Sequence, residues 1–474
     1  MMRKKNILWI CTDQQRFDTL GCYGNDFVDT PNLDRLAETG MLFEHCYSQS
    51  PVCTPSRASF LTGRYPRTTR CRQNGQSIPP EEVLVTRILD EAGYTCGLAG
   101  KLHLSACCGQ KYEARIDDGY SEFHWSHHPA PDWPTNEYSH WLREQGVEYE
   151  VRSRDDCRYV QTGMPEAYHQ TTWCAQKAIN FIEAHAKSDN PWLFSVNIFD
   201  PHHPFDPPES YLQKYLDRLN EIPLPRYTPG ELDNKPIFQQ IGHERPYDNP
   251  NLYPYDKMSD YEHRLIRAAY WAMIDLIDVQ VGHMLSALES TGQLENTIVV
   301  FTSDHGEMLG DHGIYLKGPY FYEEALRVPL IISGPGVSSQ GERYQGLVEL
   351  VDLAPTLLDA LGFEAHPGMQ GRSFWDVLSD NDEPEKHRTD VYCEYYDANF
   401  QDGYATMVRT EKYKLVVVHG RDMGELYDLE QDPGEINNLW QNSDYQLVKM
   451  AMLKRLCDRM AWTVDPLPLR LSCW

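Results

Sequence analysis

The sequence predicts an α/β fold, with a mainly parallel sheet flanked by helices over residues 1–385. A smaller C-terminal α+β subdomain with an antiparallel sheet is expected over residues 386–474. Three observations predict this. Apolar runs of strand length alternate with helix-periodic stretches through most of the chain, the pattern of parallel strands joined by crossovers. A polar stretch around Asp380 to Arg388 separates that region from three further apolar runs. At 474 residues, the chain is also longer than one simple core organises.

Taken in order, Ile7 to Cys11 reads as a buried strand. Thr30-Pro31-Asn32-Leu33-Asp34-Arg35-Leu36-Ala37 has a cap, a proline in the first turn and helical apolar spacing, and Gly40 stops it. Glu82 to Ala92 reads as a second helix and Tyr94 to Ala99 as the next strand. Ser105 to about Gly163 is an aromatic-rich insertion. Leu193 to Ile198 is a strand, and the proline-rich stretch Pro201 to Pro254 is expected to be largely irregular. Asp260 to Leu288 is long, proline-free and helix-periodic. Thr297 to Thr302 and Val328 to Ile332 complete the strands of the large sheet. Val391 to Tyr395, Ala405 to Arg409 and Lys414 to Val418 form the small one.

Composition narrows the function. Hydrophobic content of 41% is ordinary, and no apolar run approaches the roughly 18–20 residues of a membrane span. Met1 to Cys11 has an apolar run too short for an export signal and no small-residue cleavage site, so it reads as the first strand of a cytoplasmic protein. The 13 cysteines follow no framework or zinc spacing and are expected to be reduced. A net charge of −27 argues against nucleic acid or an anionic membrane as partner, while leaving room for a local basic pocket.

Acids and cations gather just beyond the strands, where open parallel sheets bind ligands. Asp13 follows the first strand, and Asp304-His305 follows Thr297 to Thr302. Taken alone, Asp13 reads first as a turn or cap residue. With Asp304-His305-Gly306-Glu307 and the amide oxygen of Gln14, it suits a hard divalent cation such as Ca²⁺, Mg²⁺ or Mn²⁺. Cys53 precedes a helix read over residues 55–62, at the positive end where anions are held, with Arg57 one turn on. A thiol there has a lowered pKa, so a thiolate enzyme is an open alternative. Lys101 and His103 follow another strand, His202 follows Leu193 to Ile198, and Lys317 stands in a loop. Several cationic or imidazole groups beyond strands read as a receptacle for an oxyanion.

The stretch Cys53-Thr54-Pro55-Ser56-Arg57, continued to Gly63-Arg64, resembles the sulfatase signature. With Asn6-Ile7-Leu8, Thr30-Pro31-Asn32-Leu33-Asp34, Gly100-Lys101-Leu102-His103, Pro201-His202-His203-Pro204-Phe205, Ser303-Asp304-His305-Gly306-Glu307 and Asp432-Pro433-Gly434-Glu435, the chain is identified as a member of the type I sulfatases of the alkaline phosphatase superfamily. The resemblance implies an alkaline-phosphatase-like fold. It also implies that a maturation enzyme oxidises Cys53 to formylglycine, whose hydrate attacks the sulfur of a sulfate ester while bound to one divalent metal, Ca²⁺ first. It assigns Asp13, Gln14, Asp304 and His305 to the metal with position 53. Arg57, Lys101 and His103 would set the hydrate, and His202 and Lys317 would contact the sulfate and assist the leaving group.

Gln14 and His305 replace residues common in sulfatases. With Asn74 they resemble the phosphonate monoester hydrolase and choline sulfatase branches, leaving phosphonate or phosphodiester hydrolysis as the alternative. Lys101 and His103 keep the sulfatase pattern. A non-catalytic anion- or sugar-binding protein is the remaining reading. The aromatics of the insertion, Tyr112, Tyr120, Phe123, Trp125, Trp133, Tyr138 and Trp141, with His124, His127 and His128, either stack on a sugar or anchor the insertion to the core. A sulfated saccharide or small or aryl sulfate is the expected substrate, and a homo-oligomer is compatible with the proline-rich segment and tail.

Overall fold

The computed structural model describes residues 4–107, 112–129, 133–379, 386–396 and 403–469. Asn6–Thr12 lies in the middle of a nine-stranded sheet, paired in parallel with Trp192–Asn197 on one side and Thr297–Ser303 on the other. Beyond Trp192–Asn197 come Thr95–Gly100 and Glu122–Trp125, both parallel. Beyond Thr297–Ser303 come Leu330–Ser333, Gly40–Tyr47 and Arg343–Glu349, and the first of these is antiparallel to both of its neighbours.

The central strand is buried on both faces, which is why Ile7 to Cys11 reads as an unbroken apolar run. Leu8 and Ile10 pack with helices Pro31–Glu38, Gln170–Ala184 and Asp260–Ser290. Ile7, Trp9 and Cys11 pack on the other face with Cys53–Thr62, Val85–Glu91 and Leu353–Ala360. The long helix starts with a reciprocal cap: the Ser259 side chain accepts from the Glu262 N–H, and Glu262 reaches back to the Ser259 N–H.

The small sheet is an antiparallel meander of Val391–Tyr396, Tyr404–Arg409, Tyr413–Val418 and Met423–Asp428. One face, with Val391, Cys393 and Tyr395, packs on Phe321 and Leu326. The other, with Tyr392, Val408 and Leu415, is covered by Met452 and Leu456 of the terminal helix Gln446–Trp462. Among the described residues, no helix is long and apolar enough to cross a membrane.

Several expectations need correction. The helix expected from Glu82 begins at Val85, because Glu82 is drawn into a buried ion pair with Arg64 at 3.0 Å and Leu84 is extended. The run Val328 to Ile332 is two strands, Arg327–Val328 and Leu330–Ser333, since Pro329 has no N–H for the ladder. The insertion from Ser105 contributes an edge strand, Glu122–Trp125, and helix Glu137–Glu144. Pro201 to Pro254 holds two helices, Glu209–Leu216 and Ile237–Glu244. Gly40–Tyr47, Arg343–Glu349 and Met423–Asp428 are strands that the sequence reading lacks. The boundary expected around Asp380 to Arg388 falls mostly on residues 380–385, outside the described residues.

Candidate active site

Sheet register brings the acids together. Thr12 lies opposite Ser303 in the parallel ladder, so Asp13 and Asp304 leave neighbouring strands side by side. Lys101 leaves the next-but-one strand through Gly100, whose φ is +105° and whose hypothetical Cβ would lie 1.9 Å from the Asn197 carbonyl oxygen. Only glycine fits that approach. Cys53 is the first residue of helix Cys53–Thr62, which begins two residues earlier than the helix read from the sequence over residues 55–62. The N–H of Thr54, which has no partner within the helix, donates to Asn74 Oδ1 at 2.9 Å.

Arg57 is fully buried beneath this group. Its Nε donates to Asp304 Oδ2 at 2.8 Å, its Nη2 to Asp13 Oδ2 at 3.1 Å and its Nη1 to the Lys101 carbonyl at 2.8 Å. Lys101 Nζ lies 2.5 Å from the same Asp13 oxygen. Cys53 Sγ is 3.1 Å from Lys317 Nζ, 3.2 Å from His305 Nε2, 3.6 Å from Lys101 Nζ and 3.7 Å from Asp13 Oδ1. Gln14, with a φ of 65°, gives its backbone N–H to Asp304 Oδ1 at 3.0 Å. Its amide oxygen accepts from Lys317 at 2.6 Å, and its amide nitrogen donates to the buried Glu307 carboxylate.

Burial and the Asp13 carboxylate push the Cys53 thiol up, yet Lys101, Lys317 and His305 outweigh them and hold it at about 5. Burial also pushes Asp13 up, but Lys101, His202, Arg57 and Lys317 hold it well below the usual carboxylate range. Asp304 goes the other way, raised by burial and by the charge of Asp13. Burial first, and then nearby lysines, keep His103 and His202 far below the ordinary imidazole value.

Donor atoms of Asp13, Cys53, Asp304 and His305 all lie within 4.8 Å of one another. Two carboxylates and an imidazole, converging on a point where burial and then the Asp13 charge raise Asp304, are a fitting donor set for a divalent cation. Gln14 abuts this cluster through Lys317 and Asp304.

Above Cys53 opens a cavity of ≈ 340 Å³. Cys53, Asn74, Lys101, His103, His202 and Lys317 line it, whereas Asp13, Gln14, Arg57, Asp304 and His305 form the buried layer beneath. Sequence reasoning missed His203, Tyr247, Tyr395 and Tyr396 as wall residues. His203 stands inside a motif already singled out. The tyrosines carried no usable signal, because Tyr247 lies in the irregular segment and the other two arrive from the small sheet.

Residues of the aromatic insertion take several places in the fold. Tyr138 packs against Trp173 in the core, Tyr120 bonds Ser195 at 2.9 Å, and His124 contacts Glu137 at 2.9 Å. Trp125, His127 and Trp133 form a stack. Of this group, His127 and His128 reach the cavity.

Comparison with known proteins agrees with this geometry. The sulfatase family profile matches residues 5–363, and that of the N-sulphoglucosamine sulphohydrolase C-terminal region matches 310–461. An arylsulfatase of Clostridium perfringens is 31% identical over 461 residues, covering 94% of this chain and 92% of its own. An N-acetylglucosamine-6-O-sulfatase of Bacteroides thetaiotaomicron is 27% identical over 506 residues, covering 96% and 86%. The solved phosphonate monoester hydrolase of Agrobacterium radiobacter superposes with a TM-score of 0.84 at 26% identity, covering 99% of this chain and 98% of that one.

Proposed function

The chain belongs to the sulfatase family and is a sulfuric ester hydrolase, and on that premise we propose that it cleaves the sulfate ester of a small saccharide through a formylglycine made from Cys53. The observation that carries this reading is the position of Cys53 Sγ, at the cavity floor between Lys317, His305 and Lys101. The sulfur stands in for the oxygen that a modified residue would place there. A hydrated formylglycine at position 53 would supply two geminal hydroxyls, one as the nucleophile toward sulfur and one to let sulfate leave. Because Cys53–Thr62 is buried throughout, a maturation enzyme would act before this segment folds.

Asp13, Asp304 and His305, with Gln14 beside them, are the residues to hold a divalent metal, Ca²⁺ first, with Mn²⁺ and Mg²⁺ as alternatives. When bound, the metal supplies Lewis acidity and favours the deprotonated nucleophile. Arg57 balances the two carboxylates and fixes their orientation. Lys101 and Lys317 present ammonium groups to the sulfate oxygens. His202 faces the cavity with Nδ1 donating to the His203 carbonyl, leaving Nε2 for the departing oxygen. Its pKa is depressed without substrate, so its protonation as an acid depends on the anionic ester beside it. Asn74 and His103 complete the wall around position 53.

A cavity of this size suits a monosaccharide unit, and neutral imidazoles offer both donors and acceptors to hydroxyl groups. The similarity to a sulfatase named for N-acetylglucosamine supports a sugar. Residues 1–385 are taken as the catalytic unit, and 386–474 as a subdomain that lends Tyr395 and Tyr396 to its cavity. A second reading, phosphonate monoester hydrolysis, is favoured by Gln14, His305 and the superposition on such an enzyme. Parallel kinetics on sulfated monosaccharides, aryl sulfates and phosphonate monoesters test the choice. Sulfated sugars are expected to exceed phosphonates by about 100-fold in kcat/KM, a difference in transition-state recognition of roughly 3 kcal/mol. A phosphonate preference would overturn the substrate reading.

A further inference from the structure

We propose that His103, Cys107 and His127 form a second metal site, on the wall of the cavity, for a borderline-soft divalent ion of the zinc class. Donor atoms of the three residues lie within 4.8 Å of one another. Two of those residues point to a ligand independently. The Nδ1 atoms of His103 and His127 are both buried without a hydrogen-bond partner among the described residues, and His103 as a whole is only 8% exposed. An unpaired buried ring nitrogen costs desolvation that a metal bond would recover. Cys107 is partly exposed, four residues beyond His103.

The arrangement is held in place before any ion arrives. The Glu113 carboxylate accepts from the backbone N–H groups of His103 at 2.9 Å, Leu104 and Ser105 at 3.2 Å, and from Trp125 Nε1 at 2.8 Å. One acid therefore fixes both the turn that carries His103 and the strand end that leads to His127. Trp133 stacks on the His127 ring at 5.3 Å, and the two imidazoles meet edge to face at 4.4 Å. Burial keeps both rings neutral, the state that binds metal.

The donor chemistry separates this site from the carboxylate cluster below. Two imidazoles and a thiolate suit Zn²⁺, whereas the cluster below, with two carboxylates to one imidazole, is richer in the oxygen donors that harder cations take. On binding, the Cys107 thiol gives its proton to solvent and its sulfur pair to the ion, with no change of oxidation state. Because His103 and His127 line the cavity, a fourth position would face it. Occupancy would withhold His103 from position 53 and inhibit turnover. That consequence rests on the proposed function; the binding does not.

The test uses the metal-loaded enzyme, its Cys107→Ser variant, and Cys108→Ser as a neighbour control. Zn²⁺ uptake is measured by equilibrium dialysis with elemental analysis, and Co²⁺ uptake by the thiolate-to-cobalt charge-transfer band. Wild type and Cys108→Ser are expected to take up one equivalent of Zn²⁺ that Cys107→Ser binds about 100-fold more weakly or not at all, and to show the band that it lacks. Equal uptake and an unchanged band in Cys107→Ser would overturn the site, since zinc captured by the carboxylate cluster is common to all three proteins. Basal kcat/KM of Cys107→Ser is expected to match wild type, with the Zn²⁺ inhibition midpoint raised at least about tenfold. Loss of the equivalent with no shift in inhibition would uphold the site and overturn its link to catalysis.

Discussion

On the floor of the cavity, Asp13, Asp304 and Arg57 close on one another in a fully buried triad. On its wall, His103, His127 and His203 each keep a buried ring nitrogen without a hydrogen-bond partner among the described residues. The floor is assembled from strand ends and one helix N-terminus, so sheet register sets its spacing. The wall comes from two long insertions and the edge strand of the small sheet. The contrast separates two kinds of surface: charges below that are paired with one another, and buried polar atoms above that are left for a ligand. An unmet donor or acceptor in a cavity is where a bound ligand, whether an ion or a hydroxyl group, recovers the cost of burial.

The deepest cut should come at the floor. Cys53→Ala is expected to lower kcat by about 10⁴-fold or more, as removal of a nucleophile does, with the fold unchanged by circular dichroism. A wall variant such as His203→Ala that cost as much would erase the distinction. His202→Ala sits between the two regions and is expected to lose about 10²- to 10⁴-fold on sugar sulfates, whose alkoxide needs a proton. On aryl sulfates, with a better leaving group, the loss should nearly vanish; an equal loss on both would remove His202 from the acid role.

Stability separates the regions further. Arg57→Met leaves two buried carboxylates uncompensated and is expected to cost about 3–5 kcal/mol in urea denaturation. The cost should be larger in chelator than with divalent metal, because a cation can stand in for the lost guanidinium. Acid acts on the wall instead. His128 is held down to about 4 by burial and Lys101, below its unfolded value near 6.5. Between those two values the unfolded chain binds more protons, so stability falls as pH drops through that window, at about 1.4 kcal/mol per unit for this residue. His128→Asn should flatten the slope of denaturation midpoint against pH there. The smallest effect is expected from Tyr396→Ala, which should raise KM by about tenfold with kcat nearly constant, the sign of binding shared by ground and transition states.

The floor was legible because its geometry is local to strands. Asp13, Lys101 and Asp304 each stand just past the end of an apolar run, and parallel register does the rest. Glu307, the partner of the Gln14 amide, sat within a quoted motif, but nothing in spacing tied it to a residue 293 positions away. Gly40–Tyr47 and Arg343–Glu349 escaped because their exposed or half-buried residues blur the apolar pattern. Tyr395 and Tyr396 read only as strand residues; their place in the cavity follows from docking of the small sheet on Phe321 and Leu326. His127 and His128 could be named but not separated from His124, since side-chain direction in that insertion depends on Glu113 and the Trp125–Trp133 stack.

The most direct measurement is the mass of the peptide containing Cys53, taken from native enzyme whose active fraction has been determined by single-turnover kinetics. The expected result is a peptide in which H₂S has been exchanged for O, with or without added water, in proportion to the active fraction. A fully active enzyme whose Cys53 peptide retains its sulfur would contradict the formylglycine mechanism and leave the thiolate, held at about 5 by its cationic neighbours, as the nucleophile.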